Sequence, residues 1–379
     1  MRVCVLYDFF YPLTVGGAER WYRNLADRLA AAGHDVTYLT LRHWEGDRTA
    51  ELPFRVVAFG PRLRAYDERR RRILPALVFG ARVFSHLVLH GRRYDVVHSA
   101  SFPYFSVLAA GVLRRFGGYR IVVDWHEVWT RQYWREYAGA AAGTAGWLVQ
   151  RLCARIGDRA FCFSRLHAER LRTLGFRREI SVLQGEYAGD PAPAPEGDRE
   201  PLIVFAGRHI PEKQPGALIR AFALVRDRVP GVRCEIYGDG PERGELVRLV
   251  GELALDGSVS LPGIVDADVL ASAFRRAQVH VLPSRREGYG LVVVEAAAAG
   301  TPTVVVRGPD NAATELVEDG VNGFVAPSAD PDDLAAAIAA ALEGGERLRA
   351  STRQWYARNA ERLSLDTSLT TVLEAYERD

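Results

Sequence analysis

Short apolar runs recur along this chain with amphipathic stretches between them, and that alternation limits the folds open to it. In the first half, Val3–Tyr7, Val36–Thr40, Arg55–Phe59, Asp95–Ser99, Ile121–Asp124 and Phe161–Ser164 read as buried strands. In the second half, Leu202–Ala206, Cys234–Tyr237, Val279–Leu282 and Thr303–Val306 read the same way. Helical patterns intervene. Ala18–Ala32 puts Trp21, Leu25 and Leu29 on one stripe, and Ala217–Arg228 and Glu242–Leu253 repeat the period. Continuous apolar strands joined by helices predict parallel sheets covered on both faces. The expected architecture is two doubly wound α/β domains facing each other across a cleft, with ligands at the carboxyl ends of the strands.

Charge divides the chain in a similar place. Residues 1–190 carry 29 Arg against 18 acids, a balance of +11, whereas 191–379 carry 20 basic and 29 acidic residues, a balance of −9. The switch falls at the Pro/Ala/Gly run 188–198, which reads as a linker. The expected domains are 1–188, a linker 189–200, 201–355, and a C-terminal segment 356–379. At 48% hydrophobic and 25% charged residues, the composition excludes a disordered chain. Cys4, Cys153, Cys162 and Cys234 show neither CxxC nor metal spacing, a pattern of reduced thiols in a cytosol. The start runs straight to Asp8 without a basic flank, and no stretch reaches 18 unbroken apolar residues. Neither a signal peptide nor a membrane span is therefore expected.

The basic half poses a separate question. Arg62, Arg64 and Arg69–Arg72 lead into the apolar segment 73–89, with Pro75 near its start as a helix tolerates. Such a segment suits a solvated helix covering the sheet, or one lying on an anionic bilayer beside a lipid-linked acceptor. No nucleic-acid recognition module accompanies the charge.

Several loops carry chemistry. Gly16 and Gly17 open the first helix, where backbone N–H groups can approach an anion. GxGxxG is absent and the second strand ends without the ribose-binding acid, which disfavours a nicotinamide enzyme. His126, in Asp124-Trp125-His126-Glu127, follows a strand end. It can donate to a sugar hydroxyl or simply pack among Trp125, Trp129 and Trp134. In the second half, Arg208 follows a strand and Lys213 stands five residues on, the sole lysine beside 48 arginines. Arg as a fork and Lys as a point charge can grip a diphosphate. Glu287 and Glu295 flank the turn Gly288-Tyr289-Gly290-Leu291, whose amides open a helix and suit a phosphate. A carboxylate on each side would accept hydroxyl hydrogen bonds from two sugars, which is the outline of a sugar nucleotide. Either glutamate alone reads equally well as a helix-start or packing acid. Arg285 and Arg286 flank this place and suit either an acidic sugar or solvent. Asp266-Ala267-Asp268 spells a metal-binding DxD, yet its position before an apolar helix pattern favours a helix cap.

Taken in order, these motifs resemble a retaining glycosyltransferase of GT-B fold, family 4. The E-x7-E element with its E-G-Y-G turn, the G-R…E-K loop and the Gly16-Gly17-Ala18-Glu19 start carry the resemblance from about residue 1 to 345. Weaker echoes are Tyr237-Gly238-Asp239-Gly240-Pro241 and Asp319-Gly320-Val321-Asn322-Gly323; the loop departs where Gln214 replaces the family's frequent Gly after Lys213. The resemblance implies that Arg208 and Lys213 neutralise the leaving diphosphate, so that no metal or other cofactor is needed. It assigns Glu287 to the transferred hexose and Glu295 to the ribose, with Gly288, Tyr289, Gly290 and Leu291 as the turn around the donor. Ile264 would lie at the nucleobase, Gly16 and Gly17 at the phosphates, and His126 at the sugar. It implies a UDP- or GDP-sugar donor, a glycan, lipid-linked or small-molecule acceptor, and a last helix crossing back to the first domain. The enzyme would work in the cytoplasm, with possible contact at the inner membrane face. The alternatives are a non-hydrolysing sugar-nucleotide 2-epimerase and a catalytically silent subunit that binds a nucleotide sugar.

Overall fold

The computed structural model describes all residues except Val15, Asp47, Arg48, Ala50, 61–71, Pro191, 193–199 and Asp379, and the side chain of Arg378. Arg62, Arg64, Arg69–Arg71 and most of the expected linker thus lie outside the described residues. The chain divides into two units, Met1–Leu183 with Leu369–Asp379, and Gln184–Ser368.

Unit 1 runs, in order, through β1 (Arg2–Leu6), α1 (Gly17–Ala31), β2 (Asp35–Leu41), β3 (Arg55–Phe59), α2 (Ile73–His90), β4 (Val96–Ala100), α3 (Tyr104–Gly117), β5 (Arg120–Trp125), α4 (Arg131–Ala138), α5 (Ala140–Cys153), β6 (Arg159–Cys162), α6 (Arg165–Thr173) and β7 (Glu179–Val182). Its seven strands are parallel, in the order β3-β2-β1-β4-β5-β6-β7. The central strands are buried on both faces, which is why they are written largely in apolar residues, with His98, Ser99 and Asp124 as buried polar exceptions. Helix α1 buries Trp21, Leu25 and Leu29, the stripe its period requires. Thr130 and Ser164 cap α4 and α6 by accepting from the N–H groups of Tyr133 and His167.

Helix α2 differs from its sequence reading. With the turn that follows, Ile73–Arg93 is long and apolar enough to cross a membrane by length and composition, although no unbroken apolar run announces it. One face packs on α3, and Gly80 makes room because a Cβ there would strike Phe105. The opposite face leaves Ile73, Leu74, Leu77, Phe84, Val88 and Leu89 exposed.

Unit 2 runs through β8 (Leu202–Ala206), α7 (Pro215–Arg226), β9 (Arg233–Tyr237), α8 (Arg243–Glu252), β10 (Val259–Gly263), α9 (Ala267–Arg276), β11 (Val279–Leu282), β12 (Arg286–Glu287), α10 (Leu291–Ala298), β13 (Thr303–Val306), β14 (Asp310–Asn311), β15 (Gly323–Ala326) and α11 (Pro331–Leu363). Its main sheet has the order β10-β9-β8-β11-β13-β15, also parallel, and β12 pairs separately with β14. Helix α11 bends at Gly345, whose φ of 48° and ψ of −138° are not helical. The last helix, α12 (Leu365–Arg378), returns the chain to unit 1 from Leu369 onward.

Both sheets reverse their strand order at one point, β1/β4 in unit 1 and β8/β11 in unit 2. Loops leaving the carboxyl ends of those strands diverge there and open a crevice, the place where doubly wound sheets take ligands.

Candidate functional site

In unit 2 the loop after β8 carries Gly207-Arg208-His209-Ile210-Pro211-Glu212-Lys213 and the loop after β11 carries Glu287. They meet at the switch point. Lys213 donates from Nζ to Glu287 Oε1 at 2.5 Å, with both side chains largely buried. A main-chain bond from Arg285 N to the Glu212 carbonyl, 2.9 Å, fastens the two loops. Gln214 sits in the left-handed region at φ 51°, turning the chain sharply into Pro215 at the start of α7 and leaving Lys213 on the loop. The position taken by the departing Gln214 is therefore a strained one that glycine would occupy freely. Arg208 is exposed on the same loop.

Glu287 lies in β12, buried, and pairs through its backbone register with Asn311. Helix α10 begins immediately beyond, after Gly290 at φ 102°, and no side chain caps it. A Cβ at Gly290 would stand 2.7 Å from that of Ala313, so both backbone and space demand glycine. The turn is fixed from the other side by Tyr289, whose hydroxyl donates to the Gln184 carbonyl at 2.5 Å. The first amides of α10 have no side-chain cap, and an uncapped helix start attracts anions. Glu295 follows Leu291 by four residues and lies half-buried near Tyr187. Ile264, just past β10, is 82% exposed. Gly238 and Gly240, with φ of 114° and 158°, let the β9 loop press on the backbone of Gly207 and His209; a Cβ at either would clash there.

Asp266 is the N-cap residue of α9 with extended backbone, but its side chain makes no capping hydrogen bond. The expected cap is thus corrected in part: the residue holds the position and complements the helix dipole without closing on an amide. Arg285 is exposed and Arg286 half-buried.

In unit 1, Gly17 is the first residue of α1, exposed, after Gly16 in extended backbone. Glu19 folds back beneath Gly16 and occupies the space a Cβ would need. His126 does not pack among the tryptophans. Its ring stacks on Phe163 at 4.1 Å and meets Tyr22 edge-on at 5.9 Å, because Trp125 turns the other way into the core. Burial lowers the His126 pKa to about 4, against the pull of Asp124 and Glu127, so the ring is neutral near pH 7.

No local sequence signal announces the buried group next to His126. Asp124 is fully buried and accepts from His98 Nε2 and Trp21 Nε1, each at 2.7 Å. His98 Nδ1 meets the Tyr376 hydroxyl at 2.5 Å. Burial alone would raise the Asp124 pKa, but His98 and the other donors hold it below the usual carboxylate range.

Comparison with known proteins agrees in both units. The family described as Glycosyltransferase Family 4 matches residues 15–184, and Glycosyl transferases group 1 matches 190–361. The chain belongs to the family 4, group 1 glycosyltransferases. A D-inositol 3-phosphate glycosyltransferase of Jonesia denitrificans is 35% identical over 192 residues, which cover 49% of this glycosyltransferase and 44% of that relative. The match thus spans less than half of the relative's own length. Among solved structures, sucrose-phosphate synthase from Thermosynechococcus elongatus superposes with a TM-score of 0.80 at 19% identity, covering 100% of this chain and 99% of that one. Anabaena HepE in complex with UDP gives 0.75 at 19% identity, with 100% of each chain covered. At such identity these structures speak for the GT-B fold of this glycosyltransferase.

Proposed function

We propose that this chain is a retaining, metal-independent hexosyltransferase that uses a UDP- or GDP-sugar. The observation that carries the reading is the contact between Lys213 and Glu287 at the β8/β11 switch point, beside the uncapped end of α10. A diphosphate at that end meets Lys213 and Arg208 and the amides after Gly290, which stabilise the charge that grows as the glycosidic bond breaks. The cations and amides replace a divalent ion in this role. Glu287, held by β12, accepts from hexose hydroxyls, Glu295 accepts from the ribose, and Ile264 carries the base. In unit 1, Gly17 offers an amide to the phosphates, and neutral His126 donates to the sugar. The acceptor hydroxyl attacks from the face that the diphosphate leaves, so anomeric configuration is kept.

The acceptor we favour is lipid-linked or a cell-envelope glycan, met by a cytoplasmic enzyme at the inner membrane face. The support is the apolar face of α2 in a stretch rich in arginine.

A thermal-shift panel of UDP-, GDP- and ADP-sugars, with and without EDTA, tests the donor. At a hundredfold excess over Kd a true donor adds about 2.7 kcal/mol, a rise of several degrees. One nucleotide should stand out, EDTA should leave its effect and turnover unchanged, and Lys213→Ala should abolish transfer. A panel without any response, or full turnover by Lys213→Ala, overturns the reading.

A further inference from the structure

We infer that Tyr376, His98 and Asp124 are positioning residues for the transfer, a buried chain through which α12 fixes the two unit 1 segments that face the donor. The inference rests on the assignment of Gly17 and His126 to the donor.

The three side chains come from α12, β4 and β5, all within unit 1, and each is buried. Polar atoms in such a core must be paired, and here the pairing is complete along the chain. The Tyr376 hydroxyl donates to His98 Nδ1, and His98 donates from Nε2 to Asp124 Oδ1. Asp124 Oδ2 accepts from the Trp21 indole at 2.7 Å. A His98 ring that donates from Nε2 and accepts at Nδ1 satisfies both neighbours.

What the chain touches gives it a role. Trp21 lies one helical turn after Gly17, on the buried side of α1. Asp124 lies two residues before His126, and the Tyr22 ring meets the His126 ring edge-on at 5.9 Å. One anion thus sets the position of the α1 start and of the loop after β5. Apolar side chains of similar volume would fill the same space, but without directional bonds they would not fix either segment. Residues 278 apart in sequence are joined for the purpose, which makes the last helix a strut of the site.

Tyr376→Phe removes one hydroxyl and keeps the ring. Tyr119→Phe is the matched control, since its hydroxyl is also buried in unit 1 and donates to the Ala110 carbonyl at 2.8 Å. Expected for Tyr376→Phe is a kcat about tenfold lower with donor KM little changed, as for a reacting group slightly misplaced. Amide hydrogen exchange should accelerate in 17–22 and 124–129, while Tyr119→Phe leaves both kinetics and these segments as in the parent. Indistinguishable behaviour of the two variants in kcat and exchange overturns the inference. If the parent transfers no sugar at all, the donor reading fails on its own, and the exchange comparison still decides whether α12 holds these segments.

Discussion

Lys213 spends its charge on Glu287 before any donor arrives. The pair lies mostly out of water, so removing one partner leaves the other uncompensated, a larger loss than the pair itself is worth. Lys213→Ala should destabilise the donor-free protein by about 1–3 kcal/mol, reduced from the fully buried case because Lys213 keeps some solvent. Adding Glu287→Gln should recover most of that loss, although both variants lose transfer. Urea unfolding of the four proteins in the cycle measures the coupling. Equal stability of Lys213→Ala and the double variant would show that the contact is incidental. Both residues stand out in the sequence, one as the only lysine and one in an E-x7-E spacing. Their contact does not, because it is made by strand order across 74 residues. Asp124 shows the opposite case: it was legible only as a neighbour of His126, since nothing local tells that Trp21 and a His98 backed by Tyr376 converge on it.

At the scale of elements, the strands written as apolar runs were legible to within two residues or so, because burial on both faces leaves most of their positions apolar; His98, Ser99 and Asp124 are exceptions that pair inside the core. Those that escaped break the pattern. β7 is an edge strand with no fully buried residue, β10 alternates buried and open positions through Pro262, and β15 begins at Gly323. Helix α2 is the element whose composition says most. It is apolar nearly all round, which a helix needs only when both faces are covered or when one meets lipid. From Arg72 to Val123 the sequence holds seven arginines and one acid, Asp95, whose carboxylate is taken by Arg2. Arg72 and Arg82 stand exposed at the start of and within this helix, and anionic lipid complements such cations at about 1 kcal/mol each near the surface. The chain should float with phosphatidylglycerol vesicles at low salt, bind neutral vesicles less, and release at high salt. Replacing Leu77, Phe84 and Val88 with Glu should prevent flotation without loss of fold. Parent protein left at the bottom of the gradient would remove the bilayer as partner.

Three histidines are held well below their ordinary pKa by the fold. Burial lowers His280 in unit 2 to about 3 and His126 in unit 1 to about 4; burial, followed by His90 and nearby arginines, brings His86 to about 4. In the unfolded chain each titrates near 6.5, so between pH 6.5 and 4 the unfolded state binds more protons than the native one. Stability must then fall on acidification across that window and be flat above it. Asp95, held low by Arg2, and Glu200, held low by Arg276, act in the same direction at lower pH, since their contribution is lost only as they protonate. The sign is therefore the same throughout the acid range, with histidine responsible for its upper part. The fully buried His280 ring is worth on the order of 1.4 kcal/mol per pH unit at most, and the partly buried His126 and His86 less. Urea midpoints should agree at pH 8 and 7 and decline steadily from 6.5 to 4. His280→Gln removes the strongest of these groups, whose ring touches Thr303 through Nδ1 alone among the described hydrogen bonds. That variant should show a shallower decline even if its stability at pH 7 is lower, because the slope reports protons and not packing. Identical midpoints at pH 7 and 4.5 in the parent would mean that these rings gain solvent in solution, and that the native cores are looser than the buried positions of His126 and His280 require.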